Sequence, residues 1–164
     1  IEQPNVKELI ASSCRADKQV QRLLDRVNES MHINDIVECY DITLLQQGMF
    51  KKVDEMQIYD WDQRRRYRGR VFLFDKALIY TEAIDKDVAR YRGHFARDLM
   101  GIERQEKNKF ILFETKRGKH EVEFITDNVD LWYELIRDVL FKFAEEGMFI
   151  CFLYFYNILL KKYI

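Results

Sequence analysis

Residues 64–80 read RRRYRGRVFLFDKALIY, and the alternation inside this run decides what kind of fold the chain can adopt. Arg66, Arg68 and Arg70 share parity with Phe72 and Phe74, while Tyr67, Val71 and Leu73 take the opposite face, a period of two that specifies a strand. Asp75-Lys76 interrupts the apolar run and Ala77 to Tyr80 resumes it, so the segment predicts a β-hairpin. Five arginines, Arg64, Arg65, Arg66, Arg68 and Arg70, collect at one end. Basic side chains on the rim of a small sheet form a surface suited to anions. The plain alternative is a solvated strand end kept soluble by charge.

Strand signals continue on both sides. Gly48 to Tyr59 reads as a first strand, Tyr67 to Phe74 as a second and Ala77 to Ala83 as a third. Weaker segments follow at Tyr91 to Ala96 and Met100 to Glu106, then Lys109 to Thr115 and His120 to Ile125, joined by the turn Lys116-Arg117-Gly118-Lys119. Seven short antiparallel strands predict a sandwich or small barrel, since a parallel sheet would need intervening helices. Thr126-Asp127-Asn128 supplies N-cap chemistry for a helix carrying Val129, Trp132, Leu135, Ile136, Val139 and Phe143 on one face. Such a helix covers an open end of the barrel, with Trp132 as its largest packed anchor.

The flanks are different in kind. Pro4 precedes a stretch, Asn5 to about Met31, with apolar residues at Val6, Leu9, Ile10, Ala16, Val20, Leu23, Leu24, Val27 and Met31, the spacing of an amphipathic helix. It reaches the strands through a linker, 34–43, and its apolar stripe either folds back on the sheet or has lost its natural partners. The chain begins at Ile1 rather than a methionine, which reads as a fragment. At the other end Met148 to Ile164, MFICFLYFYNILLKKYI, follows Gly147 with an apolar run too short for a comfortable membrane span. Its residues are those that A/T-rich codons supply, and Gly-Met-Phe can be encoded with a splice-donor-like GTATG. The tail is therefore expected to be intron read-through, with a packed part of the domain or a membrane anchor closed by Lys161 and Lys162 as the alternatives. As read-through it would be a sticky, poorly packed terminus.

With 164 residues and a net charge of −1, the chain has room for one buried core and no long-range preference for nucleic acid, so any anion binding must be local. Cys14, Cys39 and Cys151 are too few and too far apart for a disulfide framework or a zinc site, which suits a reducing compartment. His32, His94 and His120 lack metal-ligand spacing, and neither a nucleophile elbow nor a Gly-rich phosphate loop occurs. Lys119-His120 with Glu121 reads as a solvated strand edge rather than a catalytic base. No nucleic-acid-binding motif surrounds the arginines.

The order of these pieces, a helix through KQVQRLLDRVNESM, then GMFKKVDEMQIYD, RGRVFLFDKALIY, KFILFETK and DLWYELIRDVL, resembles the end of a Dbl-homology (DH) domain joined to its pleckstrin-homology (PH) domain. That tandem occurs in guanine-nucleotide exchange factors for Rho-family GTPases, and in style the sequence is similar to the Trio, Kalirin and Dbs branch. The resemblance implies the terminal DH helix at 1–33, a linker at 34–43, a seven-stranded PH barrel capped by a C-terminal helix at 44–146, and the apolar tail at 147–164. It also implies that exchange on the GTPase is performed by DH surfaces upstream, so that this stretch is regulatory and not itself catalytic, needs no cofactor, and works in the cytoplasm with peripheral membrane recruitment. A family pattern of lysine on the first strand and basic-x-Arg on the second points to Lys51, Lys52, Arg66, Arg68 and Arg70 as the candidate phosphoinositide contacts. Asp54, Glu55, Asp60 and Asp62 stand close by in sequence, so weak, unselective binding is expected. The other reading is a protein-interaction module with no lipid role.

Overall fold

The computed structural model describes residues 17, 19, 20, 34–86, 88–105, 107–115 and 120–162, with side chains up to Met148. Of the expected helix over Asn5 to Met31 only residues 17, 19 and 20 are described, and these are helical; the rest of that stretch and the turn Lys116 to Lys119 lie outside the described residues.

Along the described chain run β1 (Ile36–Val37), β2 (Phe50–Asp60), β3 (Arg65–Phe74), β4 (Ala77–Asp85), β5 (Val88–Ala96), β6 (Met100–Arg104), β7 (Lys109–Glu114), β8 (Glu121–Ile125) and the helix α1 (Val129–Lys162). Seven of these strands are those the alternation predicts, shifted by at most three residues at either end. They form one sheet in the order β1-β5-β4-β3-β2-β8-β7-β6, antiparallel except where β1 joins β5. Its end strands, β1 and β6, do not pair with each other. The sheet wraps around a core without closing, an open form of the sandwich or small barrel that the strand spacing predicts.

Two clusters explain the pattern of β3. Tyr67, Val71 and Leu73 face the main core with Met56, Ile58, Leu78, Tyr80, Phe95, Phe110, Leu112 and Phe124. On the opposite parity Phe72 and Phe74 are equally buried, in a second cluster with Ile36 and Ile79 against Ile42, Leu44, Phe50 and Val53. Burial is continuous from Val71 to Phe74 because residues 36–44 cover the outer face there. The stretch 34–43, read as a linker, is thus packed on the sheet. Gly69 lies hard against the backbone of β4: a Cβ there would stand 1.6 Å from the carbonyl oxygen of Thr81.

Helix α1 caps the main core with Val129, Trp132, Ile136 and Val139, while Leu135 and Leu140 pack at its edge. Thr126 Oγ1 accepts the amide of Asn128 at 3.2 Å, as the N-cap sequence predicts. Trp132 is fully buried, and its Nε1–H donates to Asp54 Oδ2 on β2 at 2.8 Å. Phe143, expected on the core face, is instead partly exposed, with the guanidinium of Arg97 4.7 Å from its ring centre. The helical stripe has rotated off the barrel by that turn, because the core ends near Leu140. The backbone of α1 continues through Gly147 to Lys162, so the tail extends the helix instead of breaking from it.

Candidate functional site

The arginine-rich end of the β2–β3 hairpin is built around a four-residue turn, Trp61 to Arg64. Asp60 is buried, and its Oδ1 accepts the amides of Asp62 and Gln63 at 2.9 and 3.0 Å, an Asx turn that tightens the loop. Arg64 takes a left-handed φ of 50° to close it. A side-chain relay ties the turn to the rest of the mouth. Asp62 Oδ2 lies 2.7 Å from His120 Nδ1, and His120 Nε2 lies 2.8 Å from the hydroxyl of Tyr80. The carboxylate can only accept, so Nδ1 donates to it, and the Tyr80 hydroxyl meets the other ring nitrogen. Burial, followed by the nearby Asp60 carboxylate, pushes the Tyr80 phenol well above its ordinary pKa and keeps it a donor. Phe95 stacks on the imidazole at 5.0 Å. His120 is therefore a half-buried tie between β8, β4 and the turn, where the sequence suggests a solvated edge.

The register decides which basic residues meet. Arg66, Arg68 and Arg70 stand opposite Tyr59, Gln57 and Glu55, whereas Lys52 stands opposite Leu73. Seven residues of strand separate Leu73 from Arg66, about 23 Å at about 3.3 Å per residue. Lys51 and Lys52 consequently stand well away from Arg66, whereas Arg70 lies only three residues, about 10 Å, from the position opposite Lys52. Lys51 pairs with Asp75 at 2.7 Å and Lys52 with Asp54 at 3.2 Å. Burial raises the Asp75 pKa, but the Lys51 contact and the Met49 amide outweigh it and hold the carboxyl below its ordinary value.

Most of the arginines are also neutralised. Arg68 pairs with Glu55 at 2.7 Å and Arg70 with Asp35 at 2.8 Å, while Glu82 holds both Arg65 and Arg92. Those last two guanidiniums flank the ring of Tyr67 at 5.7 and 6.0 Å. Arg64 and Arg66 have no carboxylate partner among the described residues, and Arg66 sits 5.6 Å over the ring of Tyr59. Beside them Trp61, 48 % exposed, packs edge-on against Tyr59 at 4.7 Å. The hairpin tip thus presents two unneutralised guanidiniums beside an exposed indole. Sequence reasoning passed over Tyr59 and Trp61; the signal was present in an aromatic-Asp-aromatic turn, Tyr59-Asp60-Trp61, followed directly by arginines.

An open sheet with a hydrogen-bonded mouth at one end and a helix on its core defines the PH class of fold. A family model described as the SOS1/NGEF-like PH domain matches residues 42–138, and the chain belongs to that family. The match is to the SOS1/NGEF type and does not resolve the Trio, Kalirin and Dbs branch. Among solved structures, the apo activated truncation of Vav1 is similar at a TM-score of 0.61 and 18 % identity, covering 73 % of this chain and 33 % of Vav1. The N-terminally truncated linker-DH/PH domains of p115-RhoGEF align at 0.62 and 12 % identity, over 87 % of this chain and 50 % of that one. The DH/PH domain of human ARHGEF11, solved with human RhoA and its inhibitor, aligns at 0.54 and 12 % identity, over 87 % and 49 %. The chain spans a third to a half of these structures. No curated protein matches.

Proposed function

We propose that this domain is the regulatory PH module of a Rho-family guanine-nucleotide exchange factor. In this reading a DH domain upstream performs exchange on the GTPase, and the PH module, not itself catalytic, assists it. The family match supports the module, and the DH/PH pairing in the p115-RhoGEF and ARHGEF11 structures supports the setting. Weak contact with anionic phosphoinositide membranes accompanies this role and recruits a cytoplasmic protein to the bilayer surface. The observation that carries the membrane contact is the hairpin tip: Arg64 and Arg66 lack carboxylate partners among the described residues beside the exposed Trp61. Indole rings favour the bilayer interface, and guanidiniums favour phosphate. Ion pairing of Lys51, Lys52, Arg68 and Arg70 leaves them less available, which accounts for weak and unselective binding.

Sedimentation with phosphatidylcholine vesicles, with and without phosphatidylserine and a phosphatidylinositol bisphosphate, tests this contact. Each basic residue near an anionic surface is worth about 1 kcal/mol, so Arg64→Ala with Arg66→Ala should weaken partitioning by about thirtyfold. Unchanged partitioning of the double variant removes the membrane role. A second reading, a protein-interaction module, is favoured by the outer face of α1. Phe141 and Met148 there are 65 % and 69 % exposed. Wild-type protein that ignores vesicles would move the assignment to that face.

A further inference from the structure

Residues 35–44 lie across the outer face of the sheet as a strap. Ile36 and Val37 pair with Ala89 and Arg90 on the β5 edge, and the Ala89 amide donates to Asp35 O at 2.9 Å. Ile36 is buried against Phe72, Phe74 and Ile79, with Cys39, Ile42 and Leu44 following it down the face. Two ion pairs hold the strap, Asp35 to Arg70 Nη1 at 2.8 Å and Glu38 to Arg90 at 2.9 Å. Arg70 is the unusual member. Its side chain is only 13 % exposed, its guanidinium stands 5.9 Å over Phe72, and its Nη2 is buried without a hydrogen-bond partner among the described residues. A guanidinium with one nitrogen satisfied and a second buried without a partner has unused capacity for an anion with more acceptor oxygens than this contact supplies.

We propose that Asp35 stands in for an external phosphate at Arg70, so that docking of the strap and engagement of a phosphate-bearing ligand at this face exclude one another. The inference rests on the membrane-contact reading and extends it. With the strap down, Arg70 is spent on Asp35 and the apolar face is covered. When a phosphate takes Arg70, Asp35 loses its counter-charge and the strap lifts from the β5 edge. By linkage, loosening the strap must then strengthen anion binding by the same factor that anion binding loosens the strap.

Hydrogen exchange on the full chain, read at the Ile36, Val37 and Ala89 amides, tests both directions. Asp35→Asn should speed exchange there at least tenfold and raise partitioning onto vesicles containing a phosphatidylinositol bisphosphate at least threefold. Adding Arg70→Gln should abolish the gain in binding. On wild-type protein the same vesicles should accelerate strap exchange. Inositol hexakisphosphate in their place separates the sources: acceleration by it supports the proposal with phosphate alone sufficient, and acceleration by vesicles only supports it with a lipid surface required. A binding gain that survives Arg70→Gln, a loosened strap with no gain, or an Asp35→Asn strap that exchanges as slowly as wild type overturns the proposal. Amides on the β4–β5 pair report whether the variant is folded. If they too exchange faster, the wild-type comparison decides, and an indifferent strap overturns the proposal. Vesicle binding that depends on Arg64 and Arg66 but ignores Asp35→Asn defeats this inference alone, whereas no binding by any variant defeats the membrane reading with it.

Discussion

Trp132 links the helix cap to the sheet, and replacing it tests the architecture directly. The indole is fully buried among Val129, Ile136, Val139 and the β-strand core. Truncation of such an aromatic costs about 3–5 kcal/mol through lost transfer energy and the cavity left behind. Trp132→Ala also strips the Nε1–H bond from Asp54, a charge-assisted contact worth about 1.5–3 kcal/mol before compensation. Asp54 keeps Lys52 at 3.2 Å and a partly exposed setting, so it is not stranded, and the total stays near the upper end of the truncation range. On a domain of this size such a loss lowers the melting temperature by on the order of 20 °C and exhausts much of a marginal stability. Trp132→Phe should cost about half as much, because most of the ring remains. Urea unfolding followed by far-ultraviolet circular dichroism is the suitable assay, since tryptophan fluorescence would lose its main reporter. A cost below about 1 kcal/mol for Trp132→Ala would mean that α1 does not cap the core. A Trp132→Phe, Asp54→Asn double-mutant cycle should show coupling of about 1 kcal/mol, and simple additivity would remove the hydrogen bond from the account.

Gly69→Ala should prevent normal folding or cost several kcal/mol, because its Cβ would overlap the Thr81 carbonyl and separate β3 from β4; a melting temperature within a few degrees of wild type refutes that close approach. His94 is half-buried beside the Tyr91 hydroxyl, and burial holds its pKa below the ordinary value. The unfolded state then binds more protons than the folded one as pH falls through about 6.5, so stability should decline between neutrality and pH 5. His94→Gln should flatten that slope in thermal melts, and an unchanged slope would assign the titration elsewhere. Asp75, whose pKa is lowered, contributes stability that is present above its unfolded value near 3.8 and lost as pH falls through its folded value. Asp75→Asn should therefore reduce the loss of stability below pH 4, measured by denaturant midpoint, and an equal acid loss in both proteins refutes it.

The parts of this fold that are legible in sequence are those set by local alternation. Arg66 to Phe74 carries its strand identity in every second residue, and Val129 to Val139 carries its helix face at helical spacing, so both could be read without knowing what they pack against. The parts that are not legible depend on residues distant in the chain. Phe72 and Phe74 signal a buried outer face, but nothing near them says that the cover is Ile36 to Leu44. Phe143 fits the helical stripe and still falls outside the core, because the core's length is fixed by the strands. His120 reads as an exposed edge residue until the hairpin turn places Asp62 beside it. The layout of the candidate site depends on register in the same way. The antiparallel register carries Lys51 and Lys52 to the end of the hairpin away from Arg65 and Arg66, nearer to Arg70. Five arginines in sequence likewise suggest a strong positive rim, but the carboxylates that neutralise Arg65, Arg68 and Arg70 come from β4, β2 and the strap. A run of like charge therefore overstates the field it produces whenever the sheet can bring acids from other strands to meet it. What survives here is the tip formed by Arg64, Arg66 and Trp61, which is why the expected membrane contact is weak and why Arg70 is better understood through Asp35 than through its neighbours in sequence.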